Sequence, residues 1–317
     1  MNSDVRQDEA VKVVFFSSSL LALPAILHLH DQGRLAAVVL TPRPDGEFAL
    51  FEQQLQQAGI ARLPLLPDQP DGCVAAVRDL GADLGLICAF RHRLPEALRA
   101  APAWGCYNIH PSHLPAYRGA QPLYWLIREG HRHSQYSVMR VEEGMDTGPV
   151  LLQEPFEIGP YDTLNALLGR MAAWLPQLAE RVVEQLVATG GQPPLRPQAG
   201  EDASLAPLPT PAQLRVDWRR QEATEIADMV RAGNPQYGSL LRMAANQVQL
   251  LQATALREDN YGIKPGTILS IDQASGLKVA TRDGVLRLDI LMNNDGVFDG
   301  YRFAMQAGLS VAMCFDS

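Results

Sequence analysis

Residues 11–40 read VKVVFFSSSLLALPAILHLHDQGRLAAVVL. The apolar run Val11–Phe16 ends in three serines and predicts a buried strand. Leu20–Gln32 carries apolar residues at helical spacing and predicts a helix. Leu35–Leu40 is a second apolar run, short enough to be a strand. The pattern continues outward. Phe48–Gln57 is amphipathic and helical, Leu63–Leu66 a short extended piece, Asp71–Leu80 a helix and Leu84–Ala89 a strand. Pro95–Arg99 opens another helix, and Gly105–Tyr107 is strand-like. Strand and helix alternate, which predicts an α/β, Rossmann-like, mostly parallel sheet with helices on both faces.

No G-x-G-x-x-G follows the first strand, so a dinucleotide-binding site is not expected. Such a sheet still holds ligands in the crevice at the carboxyl ends of its strands. Tyr161–Leu186 predicts a long helix. The stretch that follows, from Gln192 to Pro211, is rich in Pro, Gly and polar residues and reads as a linker. Beyond it, Glu222–Ala232 predicts a helix. Val248–Leu251, Gly266–Ile271, Leu277–Thr281 and Val285–Ile290 predict short strands of a small β-barrel. The expected organisation is a catalytic domain over 1–200, a linker over 201–213 and a β-rich domain over 214–317.

Composition narrows the function. The chain has 317 residues, is 47% hydrophobic and carries a net charge of −8. No apolar run approaches the ~20 residues of a membrane span. The polar, acidic Met1–Ala10 argues against a secretory signal. The four cysteines, Cys73, Cys88, Cys106 and Cys314, form no CxxC. They read as small buried hydrophobes of a cytoplasmic protein. Lysine occurs only at Lys12, Lys264 and Lys278, and Leu205–Ser317 holds 11 basic against 12 acidic residues. A protein built to grip nucleic acid usually presents a basic face. His28/His30 and His131/His133 lack the Cys or carboxylate companions of a metal site, so no metal is expected.

Chemistry concentrates in two segments. Residues 108–122 read NIHPSHLPAYRGAQP, and 144–148 read GMDTG. Together they offer an amide (Asn108), an imidazole (His110) and a carboxylate (Asp146) in short Gly/Pro-bounded loops. Acyl transfer to an amine uses these groups: a donor for the developing oxyanion, a proton carrier and a group that orients it.

These segments resemble the folate-dependent formyltransferases. That family shows Asn-x-His, Ser-x-Leu-Pro, Arg-Gly and, about one strand later, Gly-[Leu/Met]-Asp-Thr-Gly. The resemblance implies Asn108, His110 and Asp146 as the catalytic set and 10-formyltetrahydrofolate as co-substrate. It implies a donor loop at residues 86–95, with Ile87, Cys88, Ala89, Phe90, Arg91, Leu94 and Pro95 beside the pteridine, joined by Gly144 and Met145. It also places Ser112, Tyr117, Arg118 and Gln121 along the substrates, and it implies an OB-like barrel after the linker. The tRNA-specific members carry a long Gly- and Lys-rich insertion after the second strand. Here Thr41-Pro42-Arg43-Pro44-Asp45-Gly46 enters a helix at once. The resemblance therefore implies a small primary amine as acceptor, such as an amino sugar, an amino acid or a peptide amine. Methionyl-tRNA is the alternative. Hydrolysis of the formyl-folate, or folate binding without catalysis, would use the same residues.

Overall fold

The computed structural model describes residues 11–243 and 246–316. The acidic stretch Met1–Ala10 discussed above lies outside the described residues. β1 (Val13–Phe16) is buried along its whole length, as a strand with no polar alternation must be when both sheet faces are covered. The elements that follow are α1 (Leu23–Asp31), β2 (Leu35–Leu40), α2 (Gly46–Gln57), β3 (Arg62–Pro64), α3 (Asp71–Asp79), β4 (Leu84–Ile87) and α4 (Glu96–Arg99). Next come β5 (Cys106–His110), α5 (Pro122–Arg128), β6 (His133–Arg140), β7 (Val150–Glu157) and α6 (Leu164–Ala188).

The first seven strands form one sheet in the order β3-β2-β1-β4-β5-β6-β7. The first five run parallel, and β6 is antiparallel to β5. Helices cover both faces. Val13, Phe15, Val38, Leu40, Leu84 and Leu86 face α1, α2 and α6. The alternate residues Val14, Phe16, Val39 and Ile87 face α3 and α4. The order reverses between β1 and β4, and such a switch point opens a crevice at the carboxyl ends of the strands. β4 and β5 approach closely: a Cβ on Gly85 would lie 2.5 Å from Cys106 Sγ.

The second part of the chain contains α7 (Ala223–Gly233), β8 (Ser239–Met243), β9 (Asn246–Leu256), β10 (Ile268–Asp272), β11 (Gly276–Ala280), β12 (Val285–Asn293), β13 (Gly296–Asp299) and α8 (Gly300–Gln306). Its strands pair antiparallel in the order β10-β11-β12-β9-β8, with β13 on β12. The chain's last segment closes this sheet. Ala312 N–H bonds Ile268 O at 2.9 Å beside one edge, and Asp316 N–H bonds Arg242 O at 3.0 Å at the other. Trp218 and Phe315, both fully buried, stack inside at 5.7 Å.

Two compact units emerge. One comprises 1–120, 135–156 and 168–205; the other comprises 121–134, 157–167 and 206–317. In the second unit, buried Arg231 gathers the pieces. It donates to Asp162 O at 3.0 Å and pairs with Asp228 at 2.7 Å. The proline-rich stretch that reads as a linker is in part anchored. Val150 and Arg196 exchange backbone hydrogen bonds, and Arg118 N–H donates to Ser204 O at 2.9 Å.

Candidate active site

β5 carries Asn108 and His110 to the carboxyl end of the sheet, two positions apart and so on one face of the strand. Asp146 arrives from the loop between β6 and β7. The three groups converge. Asn108 Nδ2 donates to Asp146 Oδ1 at 3.4 Å. His110 Nδ1 lies 3.7 Å from Asp146 Oδ2, with the imidazole 5% and the carboxylate side chain 13% exposed. The same Oδ2 accepts the Gly119 N–H at 2.8 Å. His110 Nε2 is 2.8 Å from Tyr117 O. A carbonyl only accepts, so Nε2 holds a proton and Nδ1 is the nitrogen turned to the carboxylate.

The backbone around these groups is unusual. Asp146 and Tyr117 both sit in left-handed conformations, at φ 54° and 60°. Residues other than glycine do so rarely, and functional sites are where such conformations gather. Gly148 allows the Asp146 turn to pack, since a Cβ there would fall 1.8 Å from Arg140 O.

The loop expected to meet the donor begins beside β5: Ile87 on β4 is paired in register with Asn108. Cys88 is buried, and Ala89 turns the chain out of the sheet with φ 53°. Phe90 packs edge-on against Phe16 and His92, leaving Ala89, Arg91, His92 and Arg93 exposed. Leu94 is buried and Pro95 half-buried, anchoring the return. Arg93 reaches across to Glu143 O at 2.8 Å, next to exposed Gly144 and Met145. An exposed peptide turn at a strand end can supply the donors and acceptors that an amino-pyrimidinone edge requires.

Burial drives the Cys88 and Cys106 thiols up to about 12 and Cys73 up to about 11. Thiols of this kind are not nucleophiles near neutral pH. In native protein treated with iodoacetamide at pH 8, Cys314, which is partly exposed, should be the first modified. Peptide mapping that finds Cys88 labelled first would contradict this burial.

The residues expected along the substrates divide. Ser112 is fully buried, and its hydroxyl donates to Ala116 O at 2.7 Å while its carbonyl accepts from Ser137 Oγ at 2.6 Å. In this geometry Ser112 braces the loop. Arg118 directs Nε and Nη2 at Gln198 Oε1, at 3.1 and 2.6 Å. Tyr117 remains half-buried above His110 through its backbone carbonyl. Gln121 belongs to the second unit, where it precedes α5 and its N–H donates to Ala206 O at 2.9 Å. Gln198 escapes sequence reading: a lone Gln in a proline-rich stretch carries no local signal.

Residues 12–183 match the formyl transferase family, and residues 209–301 match the formyl transferase C-terminal domain. The methionyl-tRNA formyltransferase of Xanthomonas axonopodis pv. citri is 34% identical over 293 residues, 90% of this chain and 94% of the relative. The fold is also that of the N-formyltransferase from Helicobacter canadensis solved with folinic acid and dTDP-3-aminofucose. That structure has a TM-score of 0.65 at 14% identity and covers 91% of this chain and 100% of its own. HypX from Aquifex aeolicus, solved with tetrahydrofolic acid, gives a TM-score of 0.59 at 19% identity, over 93% of this chain and 47% of the other.

The chain belongs to the formyl transferase family. It is a folate-dependent enzyme, and 10-formyltetrahydrofolate is its co-substrate. No helix among the described residues is long and apolar enough to cross a membrane.

Proposed function

We propose that this enzyme formylates the amine of methionyl-tRNA. The observation that carries this reading is the 34% identity to methionyl-tRNA formyltransferases along nearly their whole length, both units included. It displaces the small amine, implied by the short loop after the second strand, from first place. The reaction belongs in the cytoplasm, an assignment in keeping with free, unpaired cysteines.

The bound donor supplies an activated formyl carbon. Asn108 has two N–H bonds, only one of which is directed at Asp146, so the other is available to a developing oxyanion. His110 is held at Nε2 by Tyr117 O, which leaves Nδ1, turned to Asp146, as the nitrogen that exchanges a proton. Asp146 faces Nδ1 at 3.7 Å and orients the imidazole. His110 is buried and Asp146 largely so, which limits water between them and strengthens their interaction. Ile87–Pro95 reads the pteridine through its backbone, with Gly144 and Met145 at its border. The catalytic domain is taken as residues 1–200, with the β-rich domain after residue 213.

A specific observation favours a second reading, a small primary amine. The connection between β2 and α2 is only Thr41–Asp45, and its one cation is paired with nearby carboxylates. Arg43 lies 3.1 Å from Asp45 and 3.6 Å from Glu47 and donates to Ser18 O at 2.9 Å. A guanidinium so engaged has little left for a phosphate.

The test offers methionyl-tRNA and a panel of amino sugars and amino acids with 10-formyltetrahydrofolate at physiological salt. The expected result is formylation of methionyl-tRNA with kcat/KM of at least ~10⁴ M⁻¹s⁻¹, falling steeply as salt rises. Rapid turnover of one small amine with none on tRNA would establish the second reading instead.

A further inference from the structure

We infer that Gln198 is a positioning residue that sets the Asp146 turn. The inference rests on the reading of Asp146 as the catalytic carboxylate. Gln198 Nε2 donates to Asp146 O at 2.9 Å and to Gly148 O at 2.7 Å. Its Oε1 accepts Nε and Nη2 of Arg118. A primary amide offers two N–H bonds and two lone pairs, and here all four are engaged. Asp146 occupies a left-handed conformation that persists only where its surroundings over-determine it. The clamp grips the carbonyls on both sides of Thr147, which fixes the direction in which the Asp146 side chain leaves the backbone.

Arg118 joins the two catalytic loops through this amide. It follows Tyr117, whose carbonyl holds His110, and precedes Gly119, whose N–H holds Asp146. Both ends of the His110–Asp146 pair are thus referred to one side chain. The segment bearing Gln198 is itself fixed by the Arg196–Val150 backbone pair and by Ser204, which accepts Arg118 N–H at its carbonyl and Tyr117 N–H at its hydroxyl. Only an amide serves this position. A carboxylate would keep the Arg118 bonds but turn lone pairs toward two carbonyls. An alanine would leave the guanidinium and both carbonyls without this partner.

A double-mutant cycle tests the inference, because a residue acting through Asp146 loses its effect once Asp146 is gone. In wild type, Gln198→Ala should lower kcat about 10- to 100-fold, the scale of a displacement approaching 1 Å. KM for 10-formyltetrahydrofolate should change by less than about twofold. In an Asp146→Asn background the same substitution should change kcat by less than about twofold. Gln198→Glu, which keeps the Arg118 anchor and hence the folded loop, should reproduce the loss and the coupling. Equal losses from Gln198→Ala in both backgrounds, or no loss in wild type, would overturn the inference while leaving Asp146 in its role. Normal turnover by Asp146→Asn alone would overturn the reading of Asp146, and the inference with it.

Discussion

His110→Ala, and separately Asp146→Asn, should each lower kcat by roughly 10²–10⁴-fold, the usual scale for a positioned proton carrier or its charged partner. The geometry gives each variant a defined defect. His110→Ala removes the group poised between Tyr117 O and Asp146. Asp146→Asn keeps an acceptor for the Gly119 N–H but removes the charge 3.7 Å from His110 Nδ1. Donor affinity should stay within a few-fold, because the pteridine is expected chiefly on the backbone of Ile87–Pro95. Single-turnover formyl transfer, set against a direct binding measurement with 5-formyltetrahydrofolate, separates the two quantities. Near-normal rates in both variants would remove these residues from the mechanism.

The second large effect comes from a residue with no side chain. Gly148→Ala would place its Cβ 1.8 Å from Arg140 O, and that atom belongs to the backbone of β6. Arg140 N–H is itself bonded to Pro149 O at 2.9 Å, so the clash cannot be relieved by a rotamer change. The loop must move, and Asp146 lies two residues away. We expect kcat to fall about 100-fold, as for a 1 Å misplacement. Overpacking should cost about 1–3 kcal/mol of stability. Gly169→Ala is the control: it lies inside α6 with nothing within 4 Å of a Cβ, and it should stabilise by about 0.5–1 kcal/mol. Thermal melts and kcat on the same preparations decide it. A fully active Gly148→Ala would mean that the turn is more pliant than its packing indicates.

The parallel part of the large sheet, β1 to β5, was legible because its signal is local, whereas β6 and β7, which mix polar with apolar residues, were not read as strands. Val13–Phe16 and Leu35–Leu40 are apolar runs bounded by Ser, Gly and Pro, and they form β1 and β2. Element ends were harder. Leu20–Gln32 reads as one helix, but Ser19 caps a single 3₁₀ turn and α1 starts only at Leu23, with Pro24 in its first turn. β8 was missed because Ser239–Met243 is short and its burial comes from pairing with β9, which the segment itself does not encode. Among the site residues, Asn108, His110 and Asp146 stood out through chemistry and glycine spacing. Gln198 did not, because its meaning comes from carbonyls about 50 residues away. The acceptor is the least legible feature. It depends on which cations are free of carboxylates, and Arg43 shows that composition alone does not report this.

The return of residues 196–205 to the loops bearing His110 and Asp146 has a consequence for biosynthesis. A ribosome that has released the chain through α6 has already delivered every strand of the large sheet. It has not yet delivered Gln198 or Ser204, so the loops bearing His110 and Asp146 still lack the partners that set them. Translation proceeds at about 5–20 residues per second, and domains begin folding from the N-terminus. The nascent chain therefore passes through an interval in which every strand of its sheet has been made but the partners of the His110 and Asp146 loops have not.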